Sequence, residues 1–362
     1  MQRAGYLLYD SSVEKMAPEE HETSKAIADS IERTNASSFA ARHHAIRQQH
    51  AKGQGYLKGE LTVYDDLPNH LRQGMFATAR SYPIIIRLST AFGDIRSDRI
   101  RVPRGMAIKV LGVDGTKALP EDNSANQDLL LVNHKNYFSD AASYLKIQRK
   151  FELQPRTPDI VLRSLGFLAR GFKKASGCIG FALPMGVDAV ADAGDNILGE
   201  SFYSQAAIRF GDYIARLCAA PVSESVLQLR GMPAYTDDNM LRNSVVDFFR
   251  NNTAEYELRA QLGTDLRRTP VEDASIEWLE EVSPHQPIGR ITLPPQEADS
   301  PERRAYSDEI LSFDPWRCLE AHQPLGSIMR LRKEVYRASS GFRHKMNERP
   351  MKEPHDISEY PD

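Results

Sequence analysis

Four β-prone runs follow one another closely in the first part of the chain: Tyr56–Tyr64 (YLKGELTVY), Tyr82–Thr90 (YPIIIRLST), Met106–Leu111 (MAIKVL) and Asp128–Asn133 (DLLLVN). They are rich in β-branched and aromatic residues, and the first alternates polar with apolar. Gly, Asp and Asn punctuate the gaps, as at Phe92-Gly93-Asp94, Val113-Asp114-Gly115 and Glu121-Asp122-Asn123. Consecutive strands at this spacing predict an antiparallel meander, closed or nearly closed.

The middle of the chain changes character. Asp140–Leu153, Asp159–Lys174 and Ser204–Leu217 carry helical periodicity, Pro221–Arg230 and Ile288–Leu293 return to strand, and Leu241–Leu262 is helical again. A last helix is expected over Ser327–Met346. The order reads as α+β, a β core with helical annexes. Residues 1–35 are expected to be a loose arm followed by a helix with Ile27 and Ile31 on one face, 36–347 the main domain, and 348–362 a loose polar tail. A length of 362 residues would suggest two or more domains at about 150 each, but barrels run past about 200 as one.

Composition excludes several classes. Hydrophobic residues at 41% suffice for a sizeable core. A formal net charge of −3 gives no basic excess to make nucleic acid or an anionic membrane the main partner. The least charged stretch, Ala175–Val187, is too short to span a bilayer, carries Gly and Pro, and follows the basic stretch Arg163–Lys174. The N-terminus lacks the apolar run of a signal peptide. Cys178, Cys218 and Cys318 lie far apart and form no disulfide framework, so a reducing, cytoplasmic setting is expected.

Several residues invite chemistry. On the last helix Arg332 and Tyr336 share a face, and Arg343 falls near it two turns on. A guanidinium beside a phenol favours the phenolate, and tyrosine is an axial ligand of haem iron in catalases; the same pair also occurs on helices with no such role. His50 precedes a Gly-rich turn that enters a strand, where an imidazole can shuttle protons or simply lie in a polar loop. Gly53-x-Gly55-x-x-x-Gly59 lacks dinucleotide-binding spacing and precedes a strand. Arg87 sits inside an apolar strand, so an internal carboxylate or a ligand carboxylate must pair it. Asn133 ends another strand. Adjacent His43 and His44 read as solvated or hydrogen-bonding rather than as metal ligands.

Together these stretches resemble the haem catalase superfamily, most closely its short catalase-like, peroxidase-related branch. Arg47-Gln-Gln-His50-Ala-Lys-Gly-Gln-Gly is similar to the segment around the family's distal histidine, and Arg87-Leu-Ser89-Thr90 to its R-F-S-T strand at the family interval. Pro103-Arg104-Gly105-Met106-Ala107-Ile108-Lys109 resembles P-R-G-F-A-V-K, and Asn133-His-Lys-Asn-Tyr137-Phe138 resembles N-T-P-x-F-F. Ser312-Phe313-Asp314-Pro315 and Arg332-x-x-x-Tyr336 resemble the approach to the proximal helix and its R-x-F-x-Y motif, with Glu334 in place of Phe. The likeness is dense over residues 40–140 and 270–345.

The resemblance implies an eight-stranded antiparallel β-barrel with haem b buried between barrel and C-terminal helix. It implies Tyr336 as iron ligand, Arg332 holding its charge, and Arg47, Arg87 and Arg343 on the haem propionates. His50 would be the acid–base residue, Ser89 would fix its tautomer, and Asn133 would orient the peroxide. The departures are Val102 for a channel aspartate, Ala91 for a channel valine, Gln49 before the histidine, Val132 for the other asparagine of an N-N pair, and an insertion near Thr116–Gln127. A mouth lacking that carboxylate is more apolar and suits bulkier organic hydroperoxides or a reducing co-substrate. The expected function is a haem-dependent catalase or peroxidase acting on hydrogen peroxide or an organic hydroperoxide, with an organic electron donor as candidate co-substrate and a homo-oligomer as candidate assembly. The alternatives are a fatty-acid hydroperoxide isomerase or lyase, allene oxide synthase-like, and a non-catalytic haem-binding protein.

Overall fold

A computed structural model of the protein describes residues 2–3, 5–152, 157–179, 196–232 and 237–362. After two short strands, β1 (Gln2–Arg3) and β2 (Tyr6–Leu7), the four β-prone runs become β3 (Gly53–Val63), β4 (Ser81–Thr90), β5 (Arg104–Leu111) and β6 (Asn126–Val132). Further strands are β7 (Phe202–Tyr203), β8 (Ile208–Phe210), β9 (Tyr213–Pro221), β10 (Ala254–Leu262) and β11 (His285–Leu293). The pairing order is β3-β4-β5-β6-β7-β9-β10-β11, all antiparallel. It closes where β11 pairs back onto β3 from Gly289↔Val63 to Thr292↔Glu60. The result is the expected closed eight-stranded barrel, with β8 folded onto the start of β9. Closure removes the open sheet edges that long apolar strands would otherwise present.

Strand alternation gives the wall two faces. Ile84, Ile86 and Leu88 of β4, Met106, Ile108 and Val110 of β5, and Leu129 and Leu131 of β6 fill the main core. The intervening residues face the other way. Ile85 packs outside with Tyr56, Leu311 and Tyr360. Arg87 and Ser89, Gly105 and Ala107, and Leu130 and Val132 share that outer phase. Helices pack around the barrel: α1 (Glu20–Arg42), α2 (Ala141–Phe151), α3 (Asp159–Ile179), α4 (Glu224–Leu227), α5 (Met240–Phe249), α6 (Pro301–Ala305) and α7 (Ser327–Met346). α1 lies against α2 and α7.

Some expectations are corrected. Ser204–Leu217 is not helical: it holds β8 and most of β9. β9 is buried at every position, and an apolar run without alternation cannot be told from a buried helix. For the same reason Pro221–Arg230 is a strand end and the short α4, and Leu241–Leu262 divides into α5 and β10. The first helix runs on to Arg42, beyond residue 35. The arm is not loose. Leu7 N–H donates to the Gly263 carbonyl at 2.8 Å, and Glu14, Glu20 and Glu272 converge on Arg330 at 2.6, 2.6 and 2.8 Å. Among the described residues no helix is long and apolar enough to cross a membrane. Cys218 and Cys318 are buried and free, whereas the Cys178 side chain, Leu153 and much of Ala175–Val187 lie outside the described residues.

The tail is not loose either. Lys109 Nζ, on the outer wall of β5, pairs with Asp128 at 2.7 Å and Glu353 at 2.6 Å, and Arg317 pairs with the same two carboxylates at 2.7 and 3.1 Å. Burial opposes the charge of Glu353, but Lys109 and Arg317 hold its carboxyl below the ordinary range. Beyond it the Tyr360 ring is buried and its hydroxyl meets Ser307 Oγ at 2.6 Å. Removing one member of such a buried network leaves an uncompensated charge, which costs about 3–5 kcal/mol. Glu353→Gln is therefore expected to lower the urea midpoint clearly. Asp362→Ala, which removes an exposed partner of Lys58, should leave it unchanged.

Candidate active site

The outer faces of β4, β5 and β6, with α2, α3 and α7 and the turn before β3, enclose a cavity of about 750 Å³. His50, Ser89, Arg47, Arg87, Arg332, Tyr336 and Arg343 all line it, so the fold gathers these seven residues from three distant parts of the chain. Much of the remaining lining is apolar, including Phe92, Val102, Leu130, Val132, Phe138 and Val335.

His50 adopts a left-handed backbone (φ 56°), which swings it out of the path of β3. Its carbonyl accepts from Arg87 Nη1 at 2.9 Å, and its Nδ1 lies 3.0 Å from Ser89 Oγ. Burial, followed by the nearby charges of Arg87, Arg332 and Arg47, pulls its pKa down to about 3. The imidazole is therefore neutral at ordinary pH and able to accept a proton. Gly105 forms the seat beneath the ring: a Cβ there would stand 2.6 Å from imidazole Cε1 and Nδ1 and 2.9 Å from Ser89 Oγ.

Arg87 finds its partner within the protein. Asp308 Oδ1 accepts from Arg87 Nε at 3.0 Å and Arg47 Nη1 at 2.9 Å, while its Oδ2 accepts from the Tyr56 hydroxyl at 2.7 Å. Burial opposes the Asp308 charge, but Arg87, Arg47 and Tyr56 hold the carboxyl below its usual range. Arg343 donates to the same segment, Nη2 to the Leu311 carbonyl at 3.1 Å, but has no ion-pair partner among the described residues, and its buried Nε has no hydrogen-bond acceptor. Burial depresses its pKa to about 10. Three guanidinium groups against one carboxylate leave two positive charges in excess. A buried excess of this kind calls for a ligand with two anionic groups.

On α7, the Arg332 guanidinium lies 4.8 Å over the Tyr137 ring and donates to Met329 Sδ at 3.4 Å. Burial would lower its pKa, but Tyr336 and Tyr137 more than restore it. The Tyr336 hydroxyl is raised above its ordinary value because burial outweighs the opposing pull of Arg332. Arg332 by itself therefore leaves Tyr336 as the neutral phenol, and a phenolate here requires a further cation.

Asn133 is placed differently from the expectation. It does not line the cavity; its Oδ1 accepts from Arg104 N–H at 2.7 Å and its Nδ2 donates to Glu200 at 3.2 Å. The reason is strand phase. Leu130 and Val132 face the cavity, so the next residue turns away, and it is Val132, the strand partner of Gly105, that reaches the lining. The cavity's amides are Asn136, Gln205, Gln48 and Gln49. Gln205 Nε2 donates to the Asn136 carbonyl at 2.7 Å, while Asn136 Oδ1 and Gln205 Oε1 are buried without a donor. Sequence reasoning missed Asp308, Gly105 and the part that α3 plays. Only Gly105 carried a local signal, within Pro103-Arg104-Gly105.

The structure is thus an antiparallel barrel bearing on its outer wall a cavity with a His–Ser pair, a tyrosine and a cluster of arginines. Residues 7–157 match the model of the Catalase family. Among 124 matching solved chains, a fungal catalase has 16% identity and a TM-score of 0.59, covering 85% of this chain and 61% of its own. A bacterial catalase has 16% identity and a TM-score of 0.57, covering 88% and 62%. Catalase A from Saccharomyces cerevisiae has 19% identity and a TM-score of 0.59, covering 86% and 65%. The chain thus spans less than two thirds of the length of these catalases. No curated protein matches the sequence. The family match covers less than half of the chain, and the likeness to these catalases is one of fold.

The seat at Gly105 yields a test independent of activity. Gly105→Ala forces the His50 ring or Ser89 aside and is expected to destabilise by about 1–3 kcal/mol. In a His50→Ala background the same change should cost much less, a coupling that urea denaturation of the double-mutant cycle measures.

Proposed function

We propose that the protein is a haem-dependent, peroxide-processing oxidoreductase of catalase or peroxidase type. The observation that carries this reading is the excess of two buried positive charges at Arg47, Arg87 and Arg343, in a cavity that also holds Tyr336 and a neutral His50. Haem b fits that set. The three arginines would hold its two propionates, and the Tyr336 oxygen would ligate its iron, with Arg332 alongside to favour the phenolate the metal requires. The bound haem would supply the redox-active metal that exchanges electrons with peroxide.

The protein's own residues would do the rest. His50 would take a proton from one peroxide oxygen and deliver it to the other, help typically worth about 10²–10⁴ in rate. Ser89, held at Nδ1, leaves the other ring nitrogen for that work. The neutral state is already present, because the depressed pKa keeps His50 unprotonated from about pH 4 upward. Asp308 would keep Arg47 and Arg87 in place as the propionates bind. A carrier protein needs no proton shuttle, so the His50–Ser89 pair speaks for turnover rather than mere haem binding.

The substrates in this reading are hydrogen peroxide or an organic hydroperoxide. A second reading, a fatty-acid hydroperoxide isomerase or lyase, is supported by the apolar lining, with Val132 opposite Gly105 and Leu165, Leu168 and Phe172 along α3. Comparing turnover of hydrogen peroxide with that of a bulky lipid hydroperoxide, and identifying the lipid product, separates the two.

Purified protein loaded with haem is expected to show a ferric high-spin spectrum, and Tyr336→Phe should abolish or alter it; an identical spectrum would remove Tyr336 from the iron. His50→Ala should keep the haem spectrum and lose at least about a hundredfold in peroxide turnover. Wild-type turnover should show no inflection near pH 6.5, the ordinary imidazole value, since His50 stays neutral on both sides of it.

A further inference from the structure

Asp308 lies in a π-helical turn, Tyr306–Ile310, which Leu311 follows. Single turns of this kind are rare and recur at functional sites. Arg47 directs all of its terminal N–H groups at this segment. Its Nη1 donates to Asp308 Oδ1 at 2.9 Å and to the Asp308 carbonyl at 3.4 Å, and its Nη2 donates to the Ser307 and Leu311 carbonyls at 2.7 and 2.9 Å. Arg87 gives Nε to Asp308, Nη1 to the His50 carbonyl and Nη2 to the Ala51 carbonyl, which leaves one N–H on each Nη. Arg343 keeps its Nε without an acceptor.

The turn does not depend on these arginines for its place. Glu309 accepts from Asn347 Nδ2 at 2.8 Å and meets His44 Nε2 at 2.7 Å, His344 Nε2 lies 2.9 Å from the Ile310 carbonyl, and Ser307 Oγ lies 2.6 Å from the Tyr360 hydroxyl. Tyr56 donates to the far oxygen of Asp308 at 2.7 Å. Asp308 is therefore fixed from several directions. It is also not part of the cavity lining, whereas Arg47, Arg87 and Arg343 are. The carboxylate meets the guanidinium groups from behind, and a ligand in the cavity would meet them from the front. The two anions do not compete for the same space, but each feels the other's charge across the arginines, and little water lies between to screen it.

We propose that Asp308 limits the affinity of the cavity for an anionic ligand. It compensates Arg47 and Arg87 in the empty protein and, because it stays in place, opposes the ligand's negative charge when the cavity fills. Stability of the empty site and tightness of the filled one thus pull in opposite directions at a single residue. The proposal rests on the reading of the arginines as the propionate site for its choice of probe, but the sign of the effect does not depend on iron or turnover.

The test is a fluorescence titration of the haem-free protein with protoporphyrin IX, which has two carboxylates and no iron, against its dimethyl ester, which has no carboxylate. Asp308→Asn nearly keeps the shape and removes the charge. It should bind protoporphyrin IX at least about tenfold more tightly than the wild type does, bind the ester as the wild type does, and show a lower urea midpoint when empty. Glu353→Gln, destabilised with Asp308 left in place, should not gain affinity. Equal or weaker binding of protoporphyrin IX by Asp308→Asn would overturn the proposal, because a carboxylate that only positions the arginines loses affinity when it is removed. If Asp308→Asn folds only when loaded, the same comparison is made as haem loss from the holoprotein to excess apomyoglobin: slower loss by at least about tenfold is expected, and equal or faster loss would overturn it. A wild type that binds protoporphyrin IX but not haem would overturn the haem reading alone, and one that binds neither would overturn both.

Discussion

The site rests on an unequal charge balance: three guanidinium groups brought to the outer wall of the barrel against the single carboxylate of Asp308. Arg87 comes from β4, Arg47 from the turn before β3 and Arg343 from α7, so three separate segments must be in register for one aspartate to serve two of them. Asp308 makes the unliganded cluster tolerable, because it lowers the cost of burying Arg87 in an apolar strand. It does not neutralise the cluster. The remaining positive charge favours anionic over neutral groups at this end of the cavity.

Much of this architecture was legible because runs of β-branched and aromatic residues between turn formers are a strong signal. The strands that became β3 to β6, and α7 from Ser327 to Met346, follow directly from residue patterns. β9 did not, because burial on both faces removes the period that would have marked it as a strand. The same principle explains the error at Asn133. Motif similarity supplies a stretch but not its phase, whereas parity along β6 puts Leu130 and Val132 on the cavity side and Asn133 away from it. Asp308 could not be found from sequence at all: nothing local distinguishes a carboxylate that meets Arg87 across 221 positions of chain.

The two sides of the cavity are held to different tolerances. Around His50 the constraints are steric and tight: a left-handed backbone, a serine on Nδ1 and a glycine seat with no room for a methyl group. Around α3 they are loose and apolar, and the same side chains serve as lining and as surface. One pole of the cavity is therefore rigid and polar, and the other is permissive and apolar.

The network of Lys109, Asp128, Arg317 and Glu353 has a consequence for biogenesis. A ribosome emits β5 and β6 long before Glu353, so Lys109 and Asp128 enter the growing barrel with half of their eventual partners still unmade. A nascent or proteolytically shortened chain ending before residue 353 would carry two cations against one anion on that wall. Quality-control proteases that sense local opening would then distinguish finished from unfinished copies through four residues that lie just behind the cavity lining at Ser312 and Phe313.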